Sequence, residues 1–393
     1  MHVAIIGAGL IGRLTALSLT RQGLQVTLFD KDCKNATQSA AYAAAGLLTP
    51  LGESLHCEPN IVEMGFLSLT MWPAILATLK KEVYFQQQGA VMVSHEQDQG
   101  DYQRFKRFIT RHYPQHQVTS LNRQQLSELE PELAYKFNQG LCLPNEGQID
   151  NRMLLTALQK ELEDTQVQWF ESSEVVAIHH LTSGCEINVA DKSQPVNKTQ
   201  FFDLAVDCRG IGASLSHSPK VAKPLCDLRA VRGELFKLFA PEVNLTRPVR
   251  LMHPRYQLYI APKPNNVYMV GATEIESDDV SPMTVRSAME LLSAAYSVHS
   301  GFAEAHIQQH ISQVRPAFSD NQPRINVKNS LIQVNGLYRH GFLISPVVLK
   351  QIEQAVQFLL QSKPLNAHNS KQLAQGEYSN LLPITFSEQS EII

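Results

Sequence analysis

Cysteine is sparse. The six among 393 residues stand at 33, 57, 142, 185, 208 and 226, with no Cys-x-x-Cys pair and no Cys/His cluster at zinc spacing. They read as buried or incidental thiols, and no metal site is expected. The 14 histidines are dispersed, and the His179-His180 doublet suits a solvated hairpin or loop better than a ligand pair. Surplus positive charge is missing too. With 34 Lys and Arg against 37 Asp and Glu, the net charge is −3, so no basic surface argues for nucleic acid. No uninterrupted apolar run reaches the roughly 18 residues that a membrane span needs. The first apolar segment is short, glycine-rich and without a basic leader, unlike a signal peptide. The fold is therefore expected to begin at residue 2 or 3, with the cytoplasm as its location. Repeats and low-complexity segments are absent. What is present is length and a 44% hydrophobic content, enough for two interleaved domains.

The chain's most informative feature follows its first apolar run, Val3-Ala4-Ile5-Ile6. There Gly7-Ala8-Gly9-Leu10-Ile11-Gly12 places a Gly-x-Gly-x-x-Gly turn between a buried strand and a helix. Gly7 permits the tight turn, Gly9 lets backbone approach a pyrophosphate, and Gly12 lets helix and strand pack closely. Free N–H groups and the positive end of the helix dipole would then face the phosphates. The strand Gln25–Phe29 ends at Asp30, the carboxylate expected on a ribose hydroxyl roughly 20 residues past the glycines. The plainer alternative is a strand–turn–helix that uses glycine for geometry alone.

Further along, the pattern predicts a helix over 10–22 and a small-residue stretch from Ser39 to Ala45 that runs into Gly46-Leu47-Leu48-Thr49-Pro50. Small side chains there suit a loop with something flat or bulky laid against it. Helices are predicted over 58–80 and 99–113, a strand at 91–93, and a loop over 143–150 whose Asp150 caps a helix over 152–162. Strands follow at 167–170, 175–178 and 201–207, the last running into Cys208-Arg209-Gly210. Between about 226 and 275 the apolar alternation has period two (235–238, 257–261, 268–271), which suggests an antiparallel sheet. A helix over 282–300, a strand over 331–335, the turn 336–341 and a helix over 346–361 complete the pattern. The polar tail after Pro364 reads as a loose extension. The expected organisation is a discontinuous dinucleotide domain (1–85, 140–225, 310–363), a substrate domain (86–139, 226–309) and an extension (364–393).

Taken in order, several motifs make a resemblance. They are the three glycines with Asp30, the Gly46-Leu47-Leu48 loop, Asp207-Cys208-Arg209-Gly210, Val231-Arg232-Gly233-Glu234, Tyr259-Ile260-Ala261-Pro262-Lys263, Val270-Gly271-Ala272-Thr273-Glu274, Val314-Arg315-Pro316 and Tyr338-Arg339-His340-Gly341. Over roughly residues 2–363 the chain resembles the FAD-dependent D-amino-acid oxidase superfamily, and within it the glycine oxidases of thiamine biosynthesis. The resemblance implies an α/β fold. It would have a Rossmann-like FAD-binding domain of the glutathione-reductase type and an α+β substrate domain built on an antiparallel sheet.

It also implies site residues. FAD would be held by Gly7, Gly9, Leu10, Ile11, Gly12, Asp30 and Lys31, and by main chain near Ala40, Ala41, Ala45, Gly46, Leu47 and Gly210. Val175 would meet the adenine through its backbone. Leu337, Tyr338, Arg339, His340, Gly341, Phe342 and Leu343 would line the flavin ring. Arg339 would pair bidentately with an amino-acid carboxylate, Tyr259 would donate to the same group, and Arg315 would add a second cation. Plainer readings exist: Arg339 as a buried ion pair, Tyr259 as a packed ring, Arg315 as a surface residue. No side-chain general base is nominated, because positioning against the flavin is the main catalytic term. The last cysteine, Cys226, precedes the flavin-lining segment, so noncovalent FAD is expected.

The implied partners are a small amino acid and O2, with a homo-oligomer as assembly and no nucleic acid. The chain departs from the family at Leu337, His340 and Gln313, at Lys263 where arginine is usual, and at Ala40-Ala41. The resemblance also implies a role for Thr49, at a position where side-chain size in the family affects how large a substrate fits. Three alternatives stay open: a dehydrogenase serving another acceptor, a partner-dependent modifying flavoprotein, and a plain NAD dehydrogenase.

Overall fold

The first apolar run becomes the strand His2–Ile6, buried on both faces and pairing in parallel with Gln25–Phe29 on one side and Leu204–Asp207 on the other. Double burial is what a central parallel strand demands, which explains the absence of polar alternation. The computed structural model describes residues 1–181, 183–190, 197–213, 227–253, 258–361 and 376–386. These three strands lie inside a seven-stranded sheet, with Gln168–Phe170 at one edge and Leu331–Asn335, Arg324–Lys328 and Ile384–Phe386 at the other. The helix Leu10–Arg21 packs on this sheet. Gly12 is obligatory there, since a Cβ would lie 1.8 Å from the Gly7 carbonyl oxygen.

Two helices back the sheet. Gly341–Gln361 packs on both Leu10–Arg21 and Pro59–Ala77. It starts five residues before the expected 346 and carries Pro346 inside it. Pro346 has no N–H for the Phe342 carbonyl four residues back. The buried Trp72 indole donates to that carbonyl instead, at 3.1 Å. Pro59–Ala77 is, among the described residues, the one helix long and apolar enough to cross a membrane, although Asn60 and Glu63 interrupt its apolar sequence. Its Ile61, Met64, Leu69 and Trp72 belong to the core under the large sheet, so it serves this fold as a core helix.

A second, nine-stranded sheet is built on the long strands Arg229–Phe239 and His306–Ala317, antiparallel along their whole length. Leu258–Lys263 and Val267–Gly271 extend it as the period-two pattern predicts. Beyond Val249–Met252 it takes up Ala90–Ser94 in parallel, then Gln139–Leu143 and Thr119–Asn122. Gln139–Leu143 and His306–Ala317 therefore both lie in this sheet, so the expected boundaries at 140 and 310 cut through its strands. The expected loop at 143–150 contains the short strand Gly147–Ile149, which pairs with Leu47–Leu48 and Phe85–Gln86. Asp150 caps Asn151–Glu163 as expected, accepting from the Arg152 and Met153 amides. His179-His180 ends the strand Val175–His180 of a three-stranded sheet.

The tail needs a correction. Within the expected loose extension, Ile384–Phe386 pairs in parallel with Arg324–Lys328 and completes the edge of the large sheet. Leu381, Leu382 and Ile384 are buried, and the Leu382 carbonyl accepts from Gln351 at 2.6 Å. The brief apolar run Leu381-Leu382-Pro383-Ile384 suffices because the sheet edge is already formed. Residues 362–375, 387–393 and Cys226 lie outside the described residues.

Candidate active site

Between the two sheets lies a cavity of about 1320 Å³. That exceeds the roughly 300–1,000 Å³ usual for small-ligand pockets and suits a dinucleotide with a substrate beside it. One end is built by the glycine turn. Gly7 has φ +100°, and a Cβ there would lie 2.7 Å from the Cys208 carbonyl oxygen, so glycine is required twice over. At Gly9 a Cβ would meet nothing closer than Ser39 Cβ at 4.0 Å, which leaves room for a phosphate against the backbone. Among the described residues no side chain caps the helix Leu10–Arg21, and Gly9, Leu10 and Ile11 at its start line this end of the cavity, where first-turn N–H groups suit an anion.

Asp30 accepts from the Ala8 and Asp32 amides, which fixes its carboxylate at the end of the second strand. Burial raises its pKa, partly offset by these hydrogen bonds. The fully buried Arg13 ties the turn to its surroundings by donating to the carbonyls of Ala8, Leu155 and Lys34. Lys31, Ala40, Ala41, Ala45, Gly46, Leu47 and Gly210 all line the wall, so the small-residue stretch does face the cavity. Gly46, at φ +68°, backs onto the Ile149 carbonyl, which a Cβ would meet at 2.0 Å. These features fit an FAD: an uncapped helix start, glycines where backbone must approach, a fixed acid and a wall of small residues. Two expected contacts differ. Gly12 serves packing and is not part of the wall. Val175 also stays outside it, paired with Val189, and its carbonyl accepts from Arg209 at 3.2 Å.

The other end holds charge. The turn Gly336-Leu337-Tyr338-Arg339 has Gly336 at φ +76° and Tyr338 at φ +50°, and it delivers Arg339 to the wall together with His340 and Phe342. Tyr259 and Arg315 converge on the same cavity from the antiparallel sheet, as expected from sequence. Tyr259 is half-buried, its hydroxyl makes no hydrogen bond among the described residues, and burial raises its pKa. Arg315 lies across Gly233, where a Cβ would be 2.2 Å from its Nη2, and it donates to the Thr273 carbonyl at 3.2 Å. His340 is almost wholly enclosed, both ring nitrogens lack a partner among the described residues, and burial pushes it down to about 4.

The sequence reading missed the carboxylates. Arg339 donates through Nε and Nη2 to Glu53 Oε2, at 2.7 and 2.6 Å, and through Nη1 to Glu274 Oε2 at 2.7 Å. The other Glu53 oxygen is held by Arg250, whose Nη2 also donates to Thr49 Oγ1 at 2.9 Å. Burial would raise the Glu53 pKa, but Arg250 and Arg339 outweigh it and hold the group well below the usual carboxylate range. The Tyr338 hydroxyl donates to Glu274 Oε1 at 2.6 Å. Glu146 accepts from the Gly52 amide at 2.8 Å, and burial pushes it up to about 8. The plainer reading of Arg339 as an ion pair is thus present alongside its place on the cavity wall. For Glu53 a signal did exist, since it follows Thr49 and the small-residue loop. Among the described residues, no group of His, Cys, Asp and Glu could hold a metal ion.

Comparison with known proteins agrees with this geometry. A family model described as DAO, FAD dependent oxidoreductase, matches residues 2–352. The putative thiamine biosynthesis oxidoreductase ThiO of Rhizobium etli is 35% identical over 352 residues, spanning 90% of this chain and 95% of its own. The crystal structure of glycine oxidase from Geobacillus kaustophilus superposes with a TM-score of 0.76 at 23% identity, covering 90% of this chain and 94% of that one. Iminodiacetate oxidase from Chelativorans sp. BNC1 gives 0.75 at 20% identity, covering 98% and 100%.

Proposed function

We propose that this chain, which belongs to the DAO family of FAD-dependent oxidoreductases, is an oxidase of glycine or another small amino acid such as sarcosine or a small D-amino acid, and that its product serves the thiazole of thiamine. The reading rests on one observation. Arg339, Arg315 and the unpartnered Tyr259 hydroxyl face one cavity that also contains a dinucleotide-binding end. The family and the name of the Rhizobium etli relative support it.

FAD, when bound, supplies the hydride acceptor and passes the electrons to O2, giving H2O2. The chain's own residues bind and orient. Arg339 and Arg315 hold the substrate carboxylate, a planar guanidinium matching its fork. Tyr259 donates its phenol to the same group. Thr49, pinned by Arg250, sets how much room is left for a side chain. Glu53, on the same cavity wall, holds Arg339 through Nε and Nη2, so the guanidinium is aimed before substrate arrives. No side chain is assigned to proton abstraction. Glu53 is committed to two arginines, and His340 is neutral near pH 7.

FAD is held noncovalently in this reading. Among the described residues lining the cavity the one cysteine is Cys208, at the glycine-turn end, where burial raises its thiol pKa far above the ordinary range. Acid precipitation should release the yellow colour to the supernatant. The cytoplasm and a homo-oligomer belong to the same proposal. The decisive test is anaerobic mixing of the FAD-loaded protein with glycine, sarcosine and D-alanine, followed by air. Bleaching that air reverses, with H2O2 formed, is expected. Bleaching that air does not reverse would transfer the chain to the dehydrogenases, and no bleaching by any small amino acid would refute the reading.

A further inference from the structure

We propose that Glu274 is a displaceable latch on Arg339, which the carboxylate of an incoming amino acid must evict. The inference deepens the reading above and rests on it. The two acids that hold Arg339 are not equivalent. Glu53 takes two of the three donor positions, Nε and Nη2, while its second oxygen is held by Arg250. Its side chain is only 13% exposed, so losing it would leave two guanidinium groups short of a counter-charge. Glu274 takes only Nη1 and is 50% exposed.

Where each acid is anchored makes the same distinction. Glu53 belongs to the short helix Pro50–Glu53, whose Gly52 amide is bound to the buried Glu146. Glu274 follows the last residue of the strand Val267–Gly271 by three positions and lies on the cavity wall. Its backbone neighbour Thr273 is fixed, with its amide bound to the Glu234 carbonyl and its hydroxyl to the Glu234 carboxylate at 3.1 Å. The Glu274 side chain is therefore the mobile part of an otherwise fixed wall. Moving it costs one hydrogen bond from Arg339, which the arriving carboxylate replaces, and one from Tyr338.

Observed affinity for a carboxylate is then a difference between two ligands of the same guanidinium edge. Removing the internal competitor should raise it. The cavity also already holds two acids on Arg339, so a substrate with a second carboxylate meets like charge.

The test uses the FAD-loaded protein and acetate, a carboxylate without an amine. Binding is followed through the absorbance of the bound flavin and checked by calorimetry. Glu274→Gln is expected to bind acetate about tenfold more tightly than the unmodified protein, equivalent to about 1.4 kcal/mol. Glu274→Met, which also removes the Tyr338 hydrogen bond, should shift in the same direction and serves if the glutamine variant folds poorly. Arg339→Lys should weaken acetate binding. Acetate affinity unchanged or lowered in both Glu274 variants, with Arg339→Lys still weakened, overturns the latch and leaves the carboxylate role of Arg339 standing. Acetate binding indifferent to Arg339→Lys overturns both.

Discussion

Replacing Glu53 by glutamine removes one charge and almost no volume, which makes it a sharp probe of the site. In the native protein Glu53 lies between Arg339, at 2.7 and 2.6 Å, and Arg250. Breaking a buried ion pair from one side typically costs about 3–5 kcal/mol, because the remaining charge stays buried and unpaired. The amide oxygen of Glu53→Gln can still accept one hydrogen bond, and Glu274 and Thr49 still contact the two arginines. The lower end, about 3 kcal/mol, is therefore expected. The sign with pH follows from the depressed folded pKa. Such a group contributes its full stability above the unfolded carboxylate value of about 4.3, and loses it as pH falls through the folded value. Urea unfolding of the FAD-loaded protein should show Glu53→Gln less stable by about 3 kcal/mol at pH 7, with the difference narrowing below about pH 4. Equal midpoints at pH 7, or a difference that persists unchanged into acid, would refute this account of the charge cluster.

Other consequences are as direct. Arg339→Ala should raise KM for the amino acid at least about 100-fold while FAD stays bound, since a buried charge-assisted pair contributes several kcal/mol; unchanged steady-state kinetics would remove Arg339 from the substrate site. Gly7→Ala should yield protein purified without yellow colour, because the added methyl would lie 2.7 Å from the Cys208 carbonyl at φ +100°; an absorbance spectrum with full flavin content would contradict it. Burial pushes Lys263 down to about 7, while the unfolded chain keeps an ordinary lysine near 10.4. Between those values the unfolded state binds the extra proton, so stability rises with pH across that window, and Lys263→Met should flatten the rise seen in denaturant titrations at pH 7 and 9.

How far the sequence reached depended on range. The glycine turn, Asp30 and the cap at Asp150 are local devices, readable from spacing, and each lies where expected. Arg339, Tyr259 and Arg315 were found through ordered motifs, and the fold brings all three to one cavity. The acids that hold Arg339 were not, because Glu53 and Glu274 meet it across more than 60 residues of chain, and the one local signal is the place of Glu53 just after Thr49 and the small-residue loop. The start of the last helix was misplaced for a comparable reason. Pro346 signals a boundary unless a distant donor satisfies the carbonyl it abandons, and Trp72 does so from 270 positions away. The strand Ile384–Phe386 was hidden by its brevity: three residues carry no periodicity, yet an edge partner is already waiting for them.

That indole has a practical use. The chain contains only two tryptophans, and Trp72 is wholly enclosed where the helix carrying Phe342 begins, three residues from Arg339. Its ultraviolet emission is therefore a built-in fluorophore signal for the docking of that helix. A red shift would report that the platform beneath the guanidinium has come loose, even in a protein whose secondary structure is otherwise intact.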